Sequence, residues 1–257
     1  MTVGVIGFGM VGKAISRAFK EKGHNVYVYD NAIKIHKFED IVRLTKVVFV
    51  CVPTPTGPNG ECNLNAVKDV LGKLREHKYL GVVAIKSTIE PGTTEFLQEK
   101  FKELTICHVP EFLREKYGYE DFTQNHSNLV IGTNQKEVAD KIIAVHSDYP
   151  KNVTVVSPTE AELIKYFSNT FKAYKTVFAC TFGSLCEKLG ADYSKVLEGY
   201  IKEEVSEGKY LKYNSVFKGF GGSCLPKDVS AMNSFVDKNS FDLNLFEFLI
   251  NENKKFC

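Results

Sequence analysis

A cysteine set among glycines, just ahead of a Pro-Lys-Asp triplet, is a candidate for covalent chemistry. The segment is GFGGSCLPKD, from Gly219 to Asp228. A thiol attacks as its thiolate, a form that neighbouring cations and helix N-termini favour. Pro226 suits the first turn of a helix, which puts Cys224 at that helix's N-terminal end with Lys227 beside it. Gly219, Gly221 and Gly222 leave room for a substrate carbon, and Asp228 could orient water or bond an oxyanion. The competing reading is a small buried cysteine in a turn, a common fate of this residue type.

A second group of residues points to a nucleotide. GFGMVG places Gly7, Gly9 and Gly12 in the pattern GxGxxG, after the apolar run TVGVIG and at the start of a helical pattern. Gly7 would make the tight turn, Gly9 would let the backbone approach a pyrophosphate, and Gly12 would let helix pack on sheet. Met10 and Val11 complete this cofactor-binding turn, whose helix N-terminus offers free N–H groups and partial positive charge. Asp30 closes the next predicted strand. It would accept hydrogen bonds from ribose hydroxyls and repel a 2′-phosphate, so the expected cofactor is NAD rather than NADP. VPTPTG follows the third predicted strand, where strand ends face a ligand in such sheets. Val52, Pro53 and Thr54 are candidates for cofactor contact there, with a plain Pro-rich turn as the alternative. Lys13 could face the phosphates but reads better as a surface lysine. A nucleophilic cysteine together with NAD suggests a specific sequence: aldehyde to thiohemiacetal, thioester and acid. The six histidines form no metal constellation, and no Ser-His-Asp alternative is visible.

The elements that must position these groups follow from periodicity. Short apolar runs such as NVYVYD, KVVFVCV and GVVAIKS alternate with helical patterns up to Ser157-Pro158. KVVFVCV is apolar throughout, as a strand buried on both faces should be. Strand-helix alternation with short connections implies a parallel sheet covered on both faces. From Thr159 the period is helical for about thirty residues to Gly190. ADYSKVLEGYI, a stretch near 227–237 and another near 242–253 also read as helices, with a looser stretch from Lys202 to Gly222. The predicted fold is therefore α/β: an NAD-binding Rossmann-like domain over 1–157, then an all-α domain over 158–257 that carries the cysteine loop.

Composition narrows the class. The chain has 257 residues, 44% of them apolar, and a net charge of +2, so nothing global points to nucleic acid or a membrane surface. Seven cysteines, an odd number without a CxxC, favour free thiols in a reducing compartment. The longest apolar stretch is too short to span a bilayer, and the first strand starts almost at Met1. These features argue for a soluble, cytoplasmic protein. Arginine occurs only at Arg17, Arg43, Arg75 and Arg114. An anion held by the second half must therefore rely on lysine or backbone N–H groups.

Five blocks, in order, resemble the nucleotide-sugar (UDP-glucose/GDP-mannose) dehydrogenases. GFGGSCLPKD is similar to that family's catalytic-cysteine loop, and VPTP to its cofactor loop. KSTIEPGTT (Lys86 to Thr94) and VPEFLREKYGYEDF (Val109 to Phe122) resemble two further segments. AELIKYFSNTFKAYKTVFACTFGSLCEKLGAD resembles its long central helix. The resemblance implies roles. Cys224 would be the nucleophile. Lys165 would stabilise an alkoxide or oxyanion with help from Asn169; the two are four apart on one helix and share a face. Glu111 would serve water activation and thioester hydrolysis, and Asp228 would hold a catalytic water. Thr88, with Ser87, would lie near the nicotinamide and the reacting carbon. Glu115 would sit beside cofactor and substrate, and Lys227 on the cofactor side. Phe112, Leu113, Phe220 and Gly221 would line the substrate. The implied reaction takes the C6 alcohol of a nucleotide sugar to a carboxylate with two NAD, most directly UDP-glucose to UDP-glucuronate. GDP-mannose and UDP-N-acetylhexosamines are alternative substrates, and a non-catalytic NAD-binding module or partner subunit is the alternative from another class. The family's central helix also implies a homodimer.

Three features depart from the family pattern. Its members carry a third, C-terminal domain that grips the nucleotide, whereas this chain stops at Cys257, so weak UDP-sugar binding is expected. The arginine that the family places shortly before the cysteine loop is missing; only Lys209, Lys212 and Lys218 stand there, and lysine cannot make a planar two-point contact. The excursion between the second and third strands, NAIKIHKFEDIVRLT, is compact.

Overall fold

The computed structural model describes residues 1–33, 35–203, 210–211 and 218–256. Lys209, Lys212 and Cys257, singled out above, lie outside them. The chain forms two compact units. One comprises Met1–Pro55 with Cys62–Lys165, the other Thr56–Glu61 with Tyr166–Cys257.

The first unit is a seven-stranded sheet with helices on both faces. In chain order the elements are β1 (Thr2–Ile6), α1 (Met10–Glu21), β2 (Asn25–Tyr29), α2 (Phe38–Leu44), β3 (Val47–Val50), α3 (Asn65–Glu76) and β4 (Val82–Ile85). There follow α4 (Thr93–Lys100), β5 (Thr105–His108), α5 (Gly118–Thr123), β6 (Leu129–Gly132), α6 (Lys136–His146) and β7 (Val153–Val156). The strand order is β2-β1-β3-β4-β5-β6-β7. All pairings are parallel except β5 with β6, which run antiparallel and meet at His108 and Gly132. The segment between those two strands holds only a 3₁₀ turn, Glu115–Tyr117, and the six-residue α5. It does not make the crossover that a parallel pairing needs.

Alternation along the strands sorts the core. In β3, Val47 and Phe49 join Ile15, Phe19, Phe122 and Ile142 on one face. Val48 and Val50 join Ile41, Leu71, Leu74 and Leu97 on the other. Every residue of β3 and β4 is buried, which is why these segments show no polar alternation. The compact excursion before β3 contains α2, a seven-residue helix that buries Phe38 and Ile41.

The second unit is helical. α7 (Pro158–Leu189) enters it from the first unit, followed by α8 (Tyr193–Glu203), α9 (Leu225–Lys238) and α10 (Leu245–Asn253). Its core gathers Ala173 and Val177 of α7, Phe220, Val229 of α9 and Leu249 of α10. Among the described residues no helix is long and apolar enough to cross a membrane.

Candidate functional site

The glycine turn after β1 has the geometry of a phosphate cradle. Gly7 has a φ of 94°, which glycine adopts freely, and a Cβ there would lie 2.6 Å from the Cys51 carbonyl oxygen. A Cβ on Gly12 would lie 2.0 Å from the Gly7 carbonyl oxygen. Gly9 differs: it precedes α1 with no side-chain cap, and a Cβ there would meet nothing within 4 Å. The protein itself does not demand a glycine at that point, whereas a ligand lying close against the backbone would. Asp30 is fixed by its neighbours: Phe8 N–H donates to Oδ2 at 2.8 Å and Ala32 N–H donates to Oδ1 at 2.8 Å. The Phe8 bond, then the Ala32 bond, holds its carboxyl below the usual value. An ionised carboxylate aimed at the glycine turn accepts ribose hydroxyls and repels a 2′-phosphate. These residues fit NAD. Met10 and Val11 open α1 and are half-buried, and Lys13 is exposed.

The VPTP segment is locked from beside it. Ser87 Oγ donates to the Val52 carbonyl at 2.6 Å, and Thr54 Oγ1 donates to the Thr88 carbonyl at 2.8 Å. Val52, Pro53, Thr54, Ser87 and Thr88 thus form one hydrogen-bonded rim beyond the ends of β3 and β4.

The remaining groups of the first unit converge on Glu111. Its Oε2 accepts from Lys86 Nζ at 2.8 Å, and both side chains are buried. Lys165 Nζ donates to the Glu111 main-chain carbonyl at 2.6 Å and lies over the Phe112 ring. Burial works to raise the Glu111 pKa, but Lys86 and the nearby His126 outweigh it and hold the carboxyl below its ordinary value. Burial first, then Lys86, pushes the nearby His108 down to about 3. Leu113 packs against the core, whereas Glu115 is exposed in its 3₁₀ turn.

The start of α7 is tied down by a second buried carboxylate. Glu162 accepts from Gly92 N–H at 2.6 Å, from Thr94 N–H at 2.7 Å and from Thr94 Oγ1 at 2.5 Å. It therefore caps α4, whose N-cap residue, Gly92, has no side chain of its own. Burial pushes the Glu162 carboxyl up to about 7 against these donors. One turn on, Lys165 meets Glu111. The block KSTIEPGTT thus does two jobs: Lys86 secures the carboxylate, and Gly92 with Thr94 secures the helix that carries the lysine. Neither Lys86 nor Glu162 was assigned a role by sequence reasoning. Their partners lie 25 and 68 residues away, and only the folded chain joins them.

In the second unit Cys224 is the N-cap residue of α9, with Pro226 in the first turn as expected. It is exposed, which removes the buried-turn alternative, while Cys62, Cys107, Cys180 and Cys186 are buried and Cys51 half-buried. Burial pushes the Cys51 and Cys107 thiols up to about 12. Ser223 Oγ lies 3.6 Å from Cys224 Sγ. Asp228, one turn into α9, is buried at 1% exposure; Asn169 Nδ2 donates to its Oδ2 at 2.5 Å and Lys227 Nζ to its Oδ1 at 2.6 Å. Lys227, expected on the cofactor side, is engaged with this carboxylate. Phe220 is buried, and Gly221, Gly222 and Ser223 are exposed.

The model of the UDP-glucose/GDP-mannose dehydrogenase family's NAD binding domain matches residues 35–149, and that of its central domain matches 159–255. A UDP-glucose 6-dehydrogenase of Rickettsia bellii is 32% identical over 295 residues, covering 99% of this chain and 67% of that protein. The chain thus spans about two thirds of that relative's length. A UDP-glucose dehydrogenase from Pyrobaculum islandicum superposes with a TM-score of 0.89 at 28% identity, over 99% of this chain and 68% of that one. The fold extends further: a 3-hydroxyisobutyrate dehydrogenase of Mycobacterium tuberculosis shares it with a TM-score of 0.79 at 15% identity, over 99% of this chain and 92% of that one.

Proposed function

The chain belongs to the UDP-glucose/GDP-mannose dehydrogenase family, and from that premise we propose that it oxidises the C6 alcohol of a nucleotide sugar to a carboxylate. UDP-glucose is the substrate favoured by the relatives at 30–32% identity, which are named UDP-glucose 6-dehydrogenases. The observation that carries the reading is an exposed thiol at a helix N-terminus, in a glycine loop, with a buried Asp228 bonded to buried Asn169 and half-buried Lys227 on the same unit.

NAD, when bound, would accept one hydride at a time, so the two hydrides that separate alcohol from carboxylate need two NAD in succession. The Gly7–Gly12 turn, Asp30 and the Val52–Thr54 rim would hold it. Lys165 supplies a fixed ammonium for an alkoxide or oxyanion. Cys224 Sγ bonds to the carbonyl carbon of the aldehyde while its proton passes to the carbonyl oxygen; loss of the second hydride from that carbon and of the proton from that oxygen would then leave a thioester at the acid level. Water adds to that carbon, a carboxylate takes its proton, and the S–C bond breaks to return the thiol. Glu111 and Asp228 are the carboxylates assigned to this step. NADH formation with a panel of nucleotide sugars tests the reading, with Cys224→Ser as control. A folded chain that binds NAD but turns over none of them would favour a non-catalytic role.

The same reading includes a homodimer through α7. Phe167, Phe171, Tyr174, Phe178, Phe182, Leu185 and Leu189 recur at steps of three and four and are all exposed, Phe167 at 74%. An apolar stripe of this length on one helix face is a surface that a second copy covers. Light scattering should give twice the chain mass; a monomer at micromolar concentration would remove this part.

A further inference from the structure

We infer that Asn253, the last residue of α10, is a positioning residue for the Cys224 loop. The inference rests on the proposed cysteine chemistry and concerns what holds the thiol in place.

Phe220 N–H donates to Asn253 Oδ1 at 2.7 Å, and Asn253 Nδ2 donates back to the Phe220 carbonyl at 2.9 Å. The side-chain amide pairs with one residue's main chain as a neighbouring strand would, satisfying both a donor and an acceptor of the loop. Leu249, four residues earlier on the same face of α10, packs in the core that buries the Phe220 ring, together with Val177 of α7 and Val229 of α9. One helix face therefore fixes both the ring and the backbone of Phe220. Gly219 N–H is fixed as well, donating to Cys180 Sγ of α7 at 3.1 Å.

Beyond Phe220 the loop faces solvent. Gly221, Gly222, Ser223 and Cys224 are all exposed, and Gly222 takes a φ of 78°. The thiol thus stands four residues past the Asn253 clamp, at the N-cap of α9. A shift of about 1 Å at a reacting group can cost a hundredfold in rate, so the clamp bears on chemistry without touching substrate. Asparagine suits the task because its amide offers a donor and an acceptor at once. Aspartate keeps the shape but turns an oxygen toward the Phe220 carbonyl.

The test is Asn253→Asp in the full chain, with Asn251→Asp, exposed on the same helix, as the matched control. Alkylation of Cys224 by iodoacetamide, read on its own peptide by mass spectrometry, should change by about threefold or more in Asn253→Asp. Its kcat for NADH formation should fall about tenfold while the KM for NAD stays within about twofold. Asn251→Asp should match the wild type in all three. In the wild type, the Phe220 N–H should exchange with deuterium about a hundredfold more slowly than those of Gly221 and Gly222. The inference is overturned if Asn253→Asp leaves Cys224 alkylation at the wild-type rate, or if the Phe220 N–H exchanges as fast as its glycine neighbours. The alkylation and exchange readings need no turnover. A wild type inactive on every nucleotide sugar would remove the dehydrogenase reading and leave the clamp to be judged on those two.

Discussion

In the Gly7–Gly12 turn a methyl group on Gly12 would sit 2.0 Å from a backbone oxygen; on Gly221 or Gly222 of the thiol loop it would meet nothing within 4 Å among the described residues. Both loops are glycine-rich, yet their glycines answer to different demands. Gly7 and Gly12 are required by the protein's own packing. Gly9 and Gly221 have open space beside them, so what requires them lies outside the chain, whereas Gly222 answers to its own φ of 78°. The contrast extends to the charged groups. In the sheet unit Lys86, Glu111 and Glu162 are buried and fully bonded, whereas in the helical unit the thiol stands in the open beside a buried Asp228. The sheet unit is built to hold groups still, and the thiol loop to leave one accessible.

The largest effect that would sharpen this contrast is Lys86→Met. It strands the buried Glu111 carboxylate without its cation, and removing one partner of such a pair costs about 3–5 kcal/mol. A urea titration should show the loss, and an unchanged midpoint would mean the pair is not the anchor described here. Gly12→Ala comes next, at about 1–3 kcal/mol of overpacking, because the contacted atom is backbone and cannot swing aside. Gly9→Ala and Gly221→Ala should separate ligand demand from fold demand. Both should melt within a few degrees of the wild type, with stability changed by about 1 kcal/mol or less. Gly9→Ala should nonetheless weaken NAD about tenfold by calorimetry, and Gly221→Ala should leave NAD affinity alone and lower turnover. Equal loss of NAD affinity in both would break the comparison.

The smallest signature is a slope. Glu162 has a folded pKa of about 7 against an ordinary 4.5. The native state therefore binds more protons than the unfolded state between those values. The contribution of Glu162 to stability is full below 4.5 and declines as pH rises to about 7. Glu111 acts in the opposite sense: its pKa is lowered, so its contribution is present above 4.5 and is lost on acidification through the folded value. Glu162→Gln should flatten the stability profile between 4.5 and about 7; an unaltered slope would assign it to other groups.

Much of the cofactor half was legible in the sequence, for physical reasons. The GxGxxG turn, its flanking strand and helix, and Asp30 at the end of the next strand are local features, and periodicity reveals local features. The helix of α7 and the Pro at the start of α9 were visible in the same way. Three things were not. The antiparallel meeting of β5 and β6 depends on where the chain between them travels. The α2 helix is only seven residues long, too short for a clear period. Lys86 and Glu162 look like ordinary charges until the fold brings Glu111 and Thr94 to them. Resemblance located the blocks that hold these residues, and only the hydrogen bonds give the blocks their reasons.

The central claim is that the Cys224 sulfur carries the carbon from aldehyde to acid. The direct measurement is the number of NADH formed per sugar consumed, wild type against Cys224→Ala, with product identified by mass. The wild type should give two NADH and a carboxylate, and Cys224→Ala at most one NADH with no carboxylate. Two NADH and a carboxylate from the alanine variant would contradict it.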